Sequence, residues 1–124
     1  MNLTVIPEKN ATELINQFHE IYPFLRLEIY YRGAEMSDAA HECLIKDIVH
    51  KKAVEGFEIS PNMSVLEVET LFWEKMGLQV SIFRKSGKTW LESSFTNYWS
   101  LERQNILGRD MNDYMNLEPQ KAGV

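Results

Sequence analysis

Residues 3–33 and 57–87 run through the same order of physical roles, which leaves such a chain few folds. Pro7 aligns with Pro61, Asn10 with Ser64, Glu13 with Glu67, Leu14 with Val68, Phe18 with Phe72 and Glu20 with Glu74, all at an offset of 54. With one deletion in the second segment, Leu25, Leu27, Ile29 and Tyr30 align with Leu78, Val80, Ile82 and Phe83. Identities are few. What recurs is a strand, a capped helix and a second strand.

Each copy opens on a short apolar strand, Leu3–Ile6 or Phe57–Ser60, ended by a proline that has no N–H to give a ladder. A capping box follows, Asn10 with Glu13 or Ser64 with Glu67, in which a polar side chain takes an orphan N–H at the helix start. Leu14, Ile15, Phe18, Ile21 and Tyr22 then form one apolar stripe, as do Val68, Leu71, Phe72 and Met76. Pro23 and Gly77 stop the helices. Each copy closes on an alternating strand from Leu25 or Leu78, with one face turned to the helices.

Three further elements are expected. Residues 37–52 have a helical pattern, with Ala40, Leu44, Ile45 and Ile48 on one side, and link the two copies. Lys85–Lys88 forms a two-residue hairpin turn, with Thr89–Ser93 as the return strand. Ser100 caps a short helix over 100–107 that Gly108 closes. Residues 109–124 are polar and read as a loosely held tail.

A chain of 124 residues, 44% hydrophobic and 25% charged, fits one α+β domain over residues 1–108 with a core of its own. The expected architecture is one mostly antiparallel sheet with helices packed on it. It is ferredoxin-like, with an inserted helix and an extra hairpin strand. A β-grasp arrangement is the alternative.

Cys43 is the only cysteine, so no internal disulfide forms, which suits a reducing compartment. No basic and apolar leader opens the sequence, and no apolar run approaches the ~18 residues of a membrane span. The expectation is a cytoplasmic protein. A net charge of −5 works against general affinity for nucleic acid or anionic lipid.

The hairpin carries the most informative surface. A turn at Ser86-Gly87 pairs Lys85 with Lys88, Phe83 with Trp90 and Ile82 with Leu91. Ile82 and Leu91 then face the helices, while Phe83 and Trp90 face away with Lys85 and Lys88 beyond them. Tyr30 joins that face because it aligns with Phe83. Such a face is either covered by the 37–52 helix, or is a protein-binding or self-association surface. Stacking of single-stranded nucleic acid on the sheet aromatics is a third reading, weakened by the missing RNP1 pattern and the negative charge. Tyr98 and Trp99, before the Ser100 helix, either pin that loop to the core or act as binding anchors.

Little else points to chemistry. Ser86-Gly87-Lys88-Thr89 ends like a phosphate loop, but Ile82 stands where its first glycine belongs and the segment turns a hairpin. Cys43, Asp47 and His50 share a polar helix face at i, i+4 and i+7, a weak signal for a metal or a nucleophile–base pair. His41 and His19 read as packing residues, and no carboxylate pair falls in an expected hollow. The residues therefore favour a non-enzymatic interaction module with a protein partner or a second copy, and without cofactor or metal. A small enzyme or ligand-binding domain is the runner-up.

Overall fold

The computed structural model describes residues 1–31, 34–49 and 53–122. Its elements, in chain order, are β1 (Leu3–Val5), α1 (Ala11–Ile21), β2 (Leu25–Tyr31), β3 (Ala34–Glu35), α2 (Asp38–Glu42), α3 (Ile45–Ile48), β4 (Phe57–Ile59), α4 (Val65–Met76), β5 (Gln79–Ser86), β6 (Thr89–Glu92) and α5 (Leu101–Ala122), with a 3-10 turn at Ser94–Thr96.

Both capping signals form. Asn10 Oδ1 accepts the Glu13 amide at 2.8 Å, and Ser64 Oγ accepts the Glu67 amide at 3.1 Å. Gly77 ends α4 at φ 67°, a left-handed cap that carries little strain without a Cβ.

The strands expected in one sheet divide into two. β1 pairs antiparallel with β4, Leu3 opposite Ile59 and Val5 opposite Phe57. The other four form an antiparallel sheet in the order β3-β2-β5-β6. The long strands take each other as partners. β2 and β5 span seven and eight residues and pair with each other and with their own hairpin returns. The three-residue opening strands, cut short ahead of Pro7 and Pro61, pair with each other.

In the larger sheet Leu25, Leu27, Ile29, Val80 and Ile82 point to one side and are buried. α1 packs there over β2, and α4 over β5, through Leu14, Phe18, Val68, Phe72 and Met76. α5 lies on the same side, because its Gly108 abuts Arg84, which follows Val80 and Ile82 on their face.

The linking segment is not one helix. It breaks into α2 and α3 at Cys43 and Leu44, both extended (ψ 150° and 142°). Tertiary hydrogen bonds explain the break. Leu44 bridges Asn10, the Ile45 amide donates to Lys9 O at 2.9 Å, and the Lys46 amide donates to Pro7 O at 3.0 Å. The second half repeats this docking. Ser100 bridges Ser64, and the Leu101 and Glu102 amides donate to Met63 O and Pro61 O. Thus α3 and α5 sit on equivalent turns. Of the described linking residues, α2 lies beside α1 and α3 docks on the turn that precedes α1. Positions 50–52 of the expected helix fall outside the described residues.

The C-terminal helix also departs from expectation. It passes through Gly108 without stopping and runs to Ala122. Gly108 serves close approach instead: a Cβ there would lie 2.9 Å from Phe24 Cβ and 3.1 Å from Phe24 O. Around it, Asn105 Oδ1 accepts the Phe24 amide. The buried Gln104 accepts from Arg84 and donates to Thr96 O and Oγ1.

Tyr22, at the end of α1, is buried, and its hydroxyl has no hydrogen-bond partner among the described residues. Burial, and secondarily the Glu102 carboxylate, push its phenol from 10.0 up to about 12. The folded state therefore favours the neutral phenol. That preference holds in full below pH 10.0 and is lost as pH rises toward about 12, on the order of 2 kcal/mol. Urea unfolding across this range should show an alkaline loss in the wild type that Tyr22→Phe reduces.

Candidate functional site: the open face of the four-stranded sheet

With the helices on one side, alternation sends Arg26, Glu28 and Tyr30 of β2 and Ser81, Phe83 and Lys85 of β5 to the other. Trp90 and Glu92 of β6 join them. None of these eight residues is buried, and among the described residues only the flank of α1, at His19, reaches one of them, Trp90.

The hairpin register differs from expectation. Ser86 pairs with Thr89, Lys85 with Trp90, Arg84 with Leu91 and Phe83 with Glu92, so Gly87 and Lys88 form the turn. Gly87 takes φ 62°, the positive value that a hairpin turn needs at its first central residue. The pairing moves by two positions, not one, so every side chain keeps its face. Phe83 and Trp90 are therefore diagonal neighbours, and Lys85 stands directly opposite Trp90. Its Nζ lies 5.1 Å from the indole centroid, a cation–π distance. Lys88, at the turn, is exposed. Leu91 lies on the Ile82 side but stays half-exposed near the sheet edge.

Tyr30, Phe83 and Trp90 come together. With Arg26 and Glu28 they line a hollow of about 200 Å³. A second hollow, of about 250 Å³, is lined by Ile15, Asn16, His19, Arg26, Leu27 and Trp90. Arg26 and Trp90 border both, so the indole reaches from β6 to the flank of α1. There it meets the His19 ring edge-on at 6.1 Å. His19 Nδ1 lies 2.9 Å from Leu25 O. Arg26 and Glu28 form an ion pair.

Arg26, Glu28 and His19 are absent from the sequence-based candidates. The first two were legible in Leu25–Tyr30, because the alternation that places Tyr30 outward places them outward too. His19 carried no such signal, since its contact depends on the long reach of Trp90.

The other candidates lie elsewhere. Trp99 sits under the Arg103 guanidinium at 3.8 Å, and its carbonyl takes the Val65 amide, so it pins the start of α5. Tyr98 beside it is exposed. The break in the linking segment removes Cys43 and Asp47 from a common helix face. Cys43 is exposed, with its thiol against Ala39 O, and His50 lies outside the described residues. His41 Nδ1 contacts Ser37 O. Among the described residues no three His, Cys, Asp or Glu side chains gather to hold a metal, and no helix is long and apolar enough to cross a membrane. No protein-family model, curated protein or solved structure matches the chain.

Proposed function

We propose that the chain is a non-enzymatic protein-interaction module whose open sheet face receives a protein partner or a second copy of itself. One observation carries this reading. Tyr30, Phe83 and Trp90 surround a hollow on a face that no described helix covers. Aromatics in such a setting are the residues that dominate interface energetics.

Charge favours protein over nucleic acid. Arg26 and Lys85 on this face are balanced by Glu28 and Glu92, so no basic track follows a phosphate backbone. The sheet edge adds a second means of contact. Leu91 and Thr89 turn their peptide groups toward β5, which leaves those of Trp90 and Glu92 on the outer edge, able to pair with an added strand. The corresponding strand–helix–strand units are, on this reading, copies of one unit.

The test compares the wild-type chain with a Tyr30→Ser/Phe83→Ser/Trp90→Ser variant as affinity baits, alongside sedimentation at micromolar concentration. Support is a specific partner, or a self-associated species, retained by the wild type and lost in the folded variant. A monomer that captures the same proteins with and without the three aromatics would contradict it.

A further inference from the structure

The two edges of the four-stranded sheet are unlike. One is β3, a strand of two residues. The other is β6, four residues long, with no proline and an unbroken register against β5. Proteins that keep a strand edge single place a proline, a bulge or a core-facing charge on it. β6 carries none of these, since its side chains on the helix side are Thr89 and Leu91.

The hairpin decides which main-chain groups face outward. Across the Gly87-Lys88 turn, Ser86 and Thr89 form a hydrogen-bonded pair, so Lys85–Trp90 is a non-hydrogen-bonded pair, Arg84–Leu91 a bonded one and Phe83–Glu92 again a non-bonded one. The Ser93 amide, which donates to Ile82 O at 3.1 Å, continues the alternation. The N–H and C=O groups of Trp90 and Glu92 therefore point away from β5, and among the described residues no strand takes them.

Leu91, between them, points to the helix side of the sheet and is 48% exposed. The helices on that side pack over β2 and β5, inward of this edge. A large aliphatic side chain thus stands half in water at the place where one further strand would cover it.

Facing outward groups to outward groups leaves few registers for an antiparallel strand of the same sequence. Trp90 opposite Trp90, or Glu92 opposite Glu92, uses one residue of each copy, and the second choice also opposes like charges. With a twofold axis at Leu91, Trp90 of each copy meets Glu92 of the other and every outward group is used. The two Leu91 side chains then form a non-hydrogen-bonded pair, the kind in which side chains come closer. On the open face Glu92, which stands opposite Phe83 in its own hairpin, comes beside the indole that carries the Lys85 ammonium at 5.1 Å.

We propose that two copies of the chain pair edge to edge through β6, antiparallel and in the register centred on Leu91, so that their four-stranded sheets become one continuous sheet. This rests on the reading of the chain as an interaction module and deepens it, by naming a second copy as occupant of the edge and fixing its register. The aromatic face of each copy stays on the surface of the joined sheet, able to receive a protein partner.

The test combines cysteine trapping with sedimentation of the full chain. In a Cys43→Ser background, which removes the exposed thiol, Leu91→Cys should form an intermolecular disulfide under mild oxidation at micromolar concentration. Opposed residues of a non-hydrogen-bonded pair have Cα atoms about 4.5 Å apart, within disulfide reach. Thr89→Cys, two residues from the axis on each strand, should not cross-link. Sedimentation should show a dimer whose dissociation constant rises about tenfold or more in Leu91→Lys, which opposes two ammonium groups at the axis. Leu91 and Thr89 are both exposed, and a thermal melt verifies that the variants fold. Equal cross-linking of the two cysteine variants would overturn the proposal, as would a dimer that Leu91→Lys leaves intact. A dimer lost in Tyr30→Ser but kept in Leu91→Lys would overturn edge pairing and support association through the open face. A monomer at these concentrations would also overturn the pairing, while capture of a protein partner by the aromatic face would still stand or fall on the bait comparison.

Discussion

Phe72→Ala is expected to lower the unfolding free energy by about 3–5 kcal/mol, while Trp73→Ala beside it changes it by less than about 0.5 kcal/mol. Phe72 is fully buried and meets Phe57 edge-on, with ring centroids 5.0 Å apart. Its removal opens a cavity between α4, β4 and β5 that a close-packed interior fills only in part. Trp73 points the other way, to the solvent flank of the same helix. One helical step of about 100° thus separates a core residue from a surface one. Urea unfolding of both variants measures the contrast. Comparable losses would mean that the Trp73 indole is packed.

Gly108→Ala is expected to destabilise by about 1–3 kcal/mol, the cost of forcing a methyl group into a filled contact. At an exposed interior position of a helix the same change stabilises by about 1 kcal/mol, so the sign is diagnostic. At Gly108 a Cβ would sit 2.9 Å from Phe24 Cβ, 3.1 Å from Phe24 O and 3.2 Å from Arg84 Cγ. The Arg84 side chain can shift, but the Phe24 carbonyl is held in the β2–β5 ladder by the Lys85 amide at 2.9 Å. α5 would have to move away, loosening the Asn105–Phe24 and Gln104–Arg84 hydrogen bonds. A gain in stability on alanine substitution would show that Gly108 is an ordinary helix position.

Much of this architecture was legible where local patterns and tertiary structure agree. The capping boxes at Asn10 and Ser64, the apolar stripes ending near Pro23 and Gly77, and the alternation from Leu25 and from Leu78 each specify geometry within a few residues. The open face follows from that alternation, so Tyr30, Phe83 and Trp90 could be placed together even with the hairpin turn set one residue early. An error of two in the pairing leaves faces unchanged.

What was not legible depends on distant backbone. The stripe Ala40, Leu44, Ile45, Ile48 has helical spacing, yet hydrogen bonds to Pro7, Lys9 and Asn10 pull Cys43 and Leu44 into extended conformation. No periodicity within residues 37–49 records that cost. Gly108 has the composition of a helix stop, and only the nearness of Phe24 explains it as a contact residue within a continuing helix. The division into two sheets likewise depends on β2 and β5 pairing with each other, which local patterns do not specify.

The functional reading requires that the aromatic face be uncovered in solution. NMR with a soluble paramagnetic agent tests this directly, by comparing attenuation of the Tyr30, Phe83 and Trp90 ring protons with that of Phe72 and Trp73. In the monomer, the open face predicts attenuation at Tyr30, Phe83 and Trp90 between the protected Phe72 and the exposed Trp73. Protection of all three equal to that of Phe72 would contradict it, and would mean that this face is a second core.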